Sequence, residues 1–117
     1  RALLRRARPV GEAVSRVEDL ELDRISHTVK RSGRVIELTP KEFALLEYLM
    51  MNVGQCLTRD MILERVWKLE LGSVTNIVDV YINYLRNKID RDFDRKLIHT
   101  VRGAGYQMGN VPQNMQA

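Results

Sequence analysis

Residues 76–90 read NIVDVYINYLRNKID. At helical spacing Val78, Ile82, Leu85 and Ile89 fall on one stripe, the pattern of a helix with a core-facing side. The opposite side should be solvated, and solvated helix faces are usually rich in Lys and Glu. Here it carries Asn76, Ile77, Val80, Asn83, Tyr84 and Asn87, which are short hydrogen-bonding groups and small apolar ones. Such a face is either merely solvated, or it lies against a surface that offers donors, acceptors and methyl groups together. The major groove of duplex DNA is a surface of that kind, since Asn can pair bidentately with adenine and Val or Ile can touch a thymine methyl.

Working outward from this helix, the chain changes period twice. Downstream, KLIHTV, the turn RGAG and YQM read as a closing hairpin, whose tight turn Gly103 and Gly105 permit. Upstream, Thr58 can cap a second helix with Asp60 in its first turn and Ile62, Leu63, Val66 and Trp67 as its apolar side. The loop KLELGS follows, and Ser73 can cap the third helix, expected over about residues 74–91. Further upstream, Thr39-Pro40-Lys41-Glu42 is a helix start: Thr caps, Pro fits the first turn, and Glu reaches back. Phe43, Leu46, Leu49, Met50 and Val53 follow at helical spacing until Gly54 stops the run, and QCLT is a short extended link.

Residues 17–38 alternate instead. VEDLELD, HTVKR and RVIEL, punctuated at Asp23-Arg24 and Ser32-Gly33, predict three or four short antiparallel strands. Strands, three helices and a hairpin make an α+β chain with the outline of a winged helix-turn-helix. The domain should span residues 17–110, with a basic linker at 1–16 and a disordered tail at 111–117.

Composition narrows the class without naming a function. A chain of 117 residues with 44% hydrophobic content suffices for one core. A single Cys56 excludes an internal disulfide and fits a reducing, cytoplasmic setting. No apolar run has the length of a membrane span, and no signal pattern is evident. The net charge of +4 is weak evidence for a polyanionic partner, because residues 1–16 hold five Arg against Glu12 alone. The rest carries 14 basic and 14 acidic side chains, so placement matters more than the sum.

Enzyme readings find no support. His27 and His99 lie far apart, and neither has a Cys or His at metal-ligand spacing. The GAG of residues 103–105 precedes a strand rather than a helix, so it is no phosphate loop. Cys56 reads as a small buried residue rather than a nucleophile. No catalytic site, metal or cofactor is assigned.

Four stretches resemble the C-terminal effector domains of OmpR/PhoB-type response regulators: LTPKEFALLEYLM, LTRDMILERVW, TNIVDVYINYLRNKID and LIHTVRGAGY. They lie in family order and spacing, and the resemblance covers about residues 18–108. It implies sequence-specific binding of double-stranded DNA as the output domain of a two-component transcription regulator. The third helix would enter the major groove through Asn76, Ile77, Val80, Asn83, Tyr84 and Asn87. Asp79 would accept from a cytosine amine or hold a neighbouring Asn or Arg.

The resemblance also places Arg102, with Gly103 beside it, in a minor groove, against the plain alternative of an exposed turn Arg. It sets the Trp67 N–H on a phosphate while the ring packs, with Thr75 and Lys88 as further phosphate contacts. The loop of Lys68, Leu69, Glu70, Leu71 and Gly72 would touch RNA polymerase, although its leucines could equally fold onto the core. Upstream the family has a receiver domain, absent from this chain, through which a sensor histidine kinase acts. Pairs would sit head to tail on direct repeats, and the isolated domain would dimerise weakly or not at all. Several members of the family carry Arg where this chain has Asn76, Asn83 and Tyr84, so their site sequences do not transfer. The rival reading is a winged-helix protein-interaction module without DNA binding.

Overall fold

The computed structural model describes residues 13–68 and 76–109. Ser73 and Thr75 lie outside them, as do Leu69, Glu70, Leu71 and Gly72, and the segments 1–12 and 110–117.

Four short strands form the first layer: β1 (Val14–Val17), β2 (Leu20–Asp23), β3 (Thr28–Arg31) and β4 (Arg34–Ile36). They pair antiparallel in chain order. The β3–β4 link is Ser32-Gly33, both with positive φ, which matches the twist of a two-residue hairpin. The β1–β2 link at residues 18–19 carries no glycine; Glu18 takes the left-handed conformation there. Strand pairing begins at Val14, earlier than the boundary expected after residue 16, because Ser15 and Arg16 find partners in Leu22 and Glu21. Alternation turns Leu20, Leu22 and Val29 into the core.

The first helix, α1 (Pro40–Met51), starts as its sequence predicts. Thr39 and Glu42 form a reciprocal capping box, with the Glu42 N–H donating to Thr39 Oγ1 at 3.3 Å and the Thr39 N–H to Glu42 Oε1 at 2.9 Å. It ends at Met51, before Val53, which is exposed. Strand β5 (Leu57–Thr58) follows, and Thr58 caps α2, an α-helix over Arg59–Ile62 continued by a wider turn over Leu63–Trp67. That turn is of the π type: the Lys68 N–H donates to the Leu63 carbonyl, and Lys68 then leaves the helix at φ +60°. The third helix, α3, runs over Asn76–Leu85 and continues through a second such turn at Arg86–Asp90.

The link read as QCLT proves to be more than a connection. Leu57 and Thr58 pair with β7 (Gly105–Met108), which pairs in turn with β6 (Ile98–Val101), giving a second sheet of order β5-β7-β6. Gly105 is required where the strands meet, since a Cβ there would lie 2.0 Å from the Leu57 carbonyl oxygen. One apolar cluster joins the inner faces of the first sheet, the three helices and the hairpin. This is the winged helix-turn-helix architecture, with α2 and α3 as the helix pair and β6–β7 as the wing. No helix among the described residues is long and apolar enough to cross a membrane.

Candidate nucleic-acid interface

The stripe of Val78, Ile82, Leu85 and Ile89 is fully buried, and it fixes how α3 is rotated. The other side is then presented to solvent: Asn76, Val80, Asn83, Tyr84 and Asn87 are all exposed. Val80 keeps 41% and Tyr84 47% of their surface open, high for side chains of their kind. Ile77 departs from the expected set. It is half-buried and packs against the core cluster, so it flanks the face rather than standing on it.

Asp79 leaves the face as well. Its Oδ1 accepts from Arg59 Nε at 2.8 Å and from the Tyr106 hydroxyl, so it belongs to the second of its two expected roles, holding a neighbouring Arg. Burial pushes the Asp79 carboxyl upward, but the Tyr106 hydroxyl and the Arg59 guanidinium outweigh it and hold the group below the ordinary carboxylate value. Tyr106 moves the other way: burial and the Asp79 carboxylate both raise its hydroxyl. Arg59 also lies over the Tyr106 ring, 5.4 Å from its centre. A second guanidinium, Arg86, lies 5.5 Å from the same ring centre and donates to the Ile98 carbonyl at 3.3 Å and to Thr100 Oγ1 at 2.6 Å. Four side chains thus lock the start of α2, α3 and the wing into one piece.

Trp67 is half-buried and meets Tyr81 edge to face at 5.1 Å, and Tyr81 meets Tyr84 at 5.3 Å. An aromatic line therefore runs from the end of α2 to the exposed face of α3. Lys88 is exposed, but its Nζ sits 2.7 Å from Glu42 Oε1, so part of its charge serves the buried capping carboxylate of α1. Arg102, Gly103 and Ala104 form the exposed tip of the wing, with Gly103 at φ +74°. Lys68 is exposed at the end of α2.

Sequence reading missed Arg59, Arg86, Thr100 and Tyr106. The positions of Arg59 and Asp79 in the first turns of two successive helices were a usable signal; the partner in β7 was not.

Residues 33–108 match the family described as "Transcriptional regulatory protein, C terminal". The transcriptional regulatory protein PcoR of Escherichia coli is 50% identical over 106 residues, covering 91% of this chain and 47% of its own length. The chain spans about half the length of the curated relatives it matches. Among solved structures, the response regulator DrrB, an OmpR/PhoB homologue from Thermotoga maritima, superposes with a TM-score of 0.73 at 31% identity, over 84% of this chain and 45% of that one. The DNA-binding domain of RstA from Klebsiella pneumoniae, solved in complex with the RstA box, gives 0.75 at 28% identity, over 82% of this chain and 96% of that one.

Proposed function

The chain belongs to the C-terminal domains of transcriptional regulatory proteins, of the OmpR/PhoB type, and from that premise we propose that it binds double-stranded DNA sequence-specifically as the output domain of a two-component regulator. The observation that carries this reading is the exposed, uncharged face of α3, turned outward by a fully buried stripe and tied to the wing. A helix of this diameter fits the major groove, and Asn76, Val80, Asn83, Tyr84 and Asn87 are the groups that would meet base edges. The wing tip would bring Arg102, with Gly103 beside it, to the adjacent minor groove, where narrow A·T tracts concentrate negative potential. Trp67, Thr75 and Lys88 would set the register on phosphates. Lys88 would do so while sharing its charge with Glu42.

The resemblance to DNA-complexed relatives supports the partner class. For the rest of the assembly we hold to the family pattern: direct-repeat sites occupied head to tail, and RNA polymerase at the loop from Lys68 to Gly72. A sensor histidine kinase would act through a receiver domain upstream. The domain alone would be monomeric or weakly dimeric.

Binding to mixed duplex DNA, followed by anisotropy as salt is raised, tests the reading. Affinity should fall linearly with salt on a double-logarithmic plot, as counterions are released from neutralised phosphates. A weak response without that slope would favour a protein-interaction module instead.

A further inference from the structure

The reading face of α3 has a chemical bias that the fold alone does not require. Between Lys68 and Arg86 the sequence holds no Lys or Arg. The first two cations reached along α3 are both occupied: Arg86 by the Ile98 carbonyl and Thr100 on the wing, and Lys88 by Glu42. The one acid on α3 before its last residue is Asp79, and its carboxylate is taken by Arg59 and Tyr106. Major-groove readout of a G·C pair draws chiefly on Arg or Lys against guanine O6 and N7, and on Asp or Glu against the cytosine amine. Both kinds of side chain are absent from this face or turned away from it. Apart from Tyr84, which has no charged group to offer a G·C pair, what remains exposed is three amides, at Asn76, Asn83 and Asn87, with Val80 among them. Those are the partners of adenine N6 and N7 and of the thymine methyl.

We infer that α3 reads A·T base pairs: amides on adenine edges and Val80 on a thymine methyl, with no guanine contact from the helix. The inference rests on the DNA-binding reading and names the class of site. Asn76 to Asn87 span about 16 Å along the helix, so the biased stretch would cover roughly five base pairs of each half-site.

The test begins with selection of bound duplexes from random DNA by this chain, followed by atom-level substitution in the selected site. Replacing single core adenines by 7-deazaadenine removes the N7 acceptor, and replacing core thymines by deoxyuridine removes the methyl. We expect at least one adenine position to lose about fivefold or more in affinity, and one thymine position to lose a smaller factor. Substituting 7-deazaguanine anywhere in the core should leave affinity unchanged, and the salt slope should stay constant throughout because no phosphate contact is altered. A site whose affinity collapses with 7-deazaguanine and ignores 7-deazaadenine would overturn the inference while leaving DNA binding intact. If no sequence is enriched and binding shows no salt slope, the parent reading falls and takes this one with it.

Discussion

Of the ionic ties that hold α3, the Arg31–Asp90 and Arg59–Asp79 pairs differ in almost every respect. At its C-terminal end, Arg31 of β3 is completely buried, as is Asp90 nearly so. The guanidinium donates to Asp90 Oδ1 at 2.8 Å, to Asp19 Oδ1 at 2.9 Å, and to the carbonyls of Ile89 and Arg95, and it rests on the Phe93 ring at 4.5 Å. Asp90 in turn accepts from the N–H groups of Leu97 and Ile98, each at 3.0 Å. In the first turn of α3, the Arg59–Asp79 pair has side chains 37% and 40% exposed. The first tie joins the N-terminal sheet to the helix end and the start of β6; the second joins α2, the reading helix and the wing. Buried and fully partnered, the first fixes how the sheet packs on the helix end. Half-exposed, the second does little for stability and instead fixes the angle between α3 and the wing, the two surfaces proposed to meet one duplex.

Breaking the first tie should have the largest effect. Asp90→Ala removes the buried counter-charge of Arg31, leaving it only the more exposed Asp19, and strands the buried N–H groups of Leu97 and Ile98; we expect a loss of about 3 kcal/mol or more in unfolding free energy by denaturant titration. A loss below about 1 kcal/mol would mean that water reaches Arg31 and that the two ties are alike.

The face carried between the ties comes next. Val80→Asp sets a carboxylate against the groove's negative potential without touching the buried stripe. It should weaken duplex binding by about tenfold or more, while the unfolding free energy stays within about 0.5 kcal/mol of the parent. Normal binding by this variant would place the face outside the groove.

The second tie should give the smallest change in stability and the most informative one. Asp79→Asn should cost about 0.5–1 kcal/mol or less, since the Arg59–Asp79 pair is open to solvent, and Tyr106→Phe about 1 kcal/mol, the loss of one hydrogen bond from a buried ring. Their effect on binding should fall on sites that engage groove and wing together, read as reduced discrimination between a selected site and random duplex. The Asp79 carboxyl lies below its ordinary value in the folded chain. Its contribution is therefore present above the unfolded carboxylate value near 3.9 and disappears as pH falls through the lowered folded value. Thermal unfolding from pH 7 downward should show Asp79→Asn converging on the parent in acid; a constant gap would assign the stability to packing.

The contrast also explains what was readable beforehand. The stripe and face of α3, the Thr39 and Thr58 caps and the wing turn follow from local period and turn chemistry, and the structure keeps them. Arg31 was visible in part, since strand alternation puts it on the same side as Val29, although nothing in the sequence pairs it with Asp90 across 59 positions. Ile77 looked like a member of the exposed face, and the two roles open to Asp79 could not be separated, because a helical wheel gives direction only. Whether a flank residue reaches solvent or a neighbour depends on β7 and α2, whose placement is tertiary. The strand at Leu57–Thr58 was hidden for the same reason: two residues carry no periodicity, and only pairing with β7 defines them.

The wing is unequal along its length, and that has a consequence for engineering. At its root, any side chain at position 105 would collide with the β5 backbone. At its tip, the space around Gly103 is open, and the limit there is its left-handed φ rather than crowding. A library that varies residues 102 and 104, offers Asn beside Gly at 103 and never touches 105 therefore searches the proposed minor-groove preference on a constant scaffold. Specificity at the tip can drift one residue at a time, while the hinge that carries it has no neutral neighbours in sequence space.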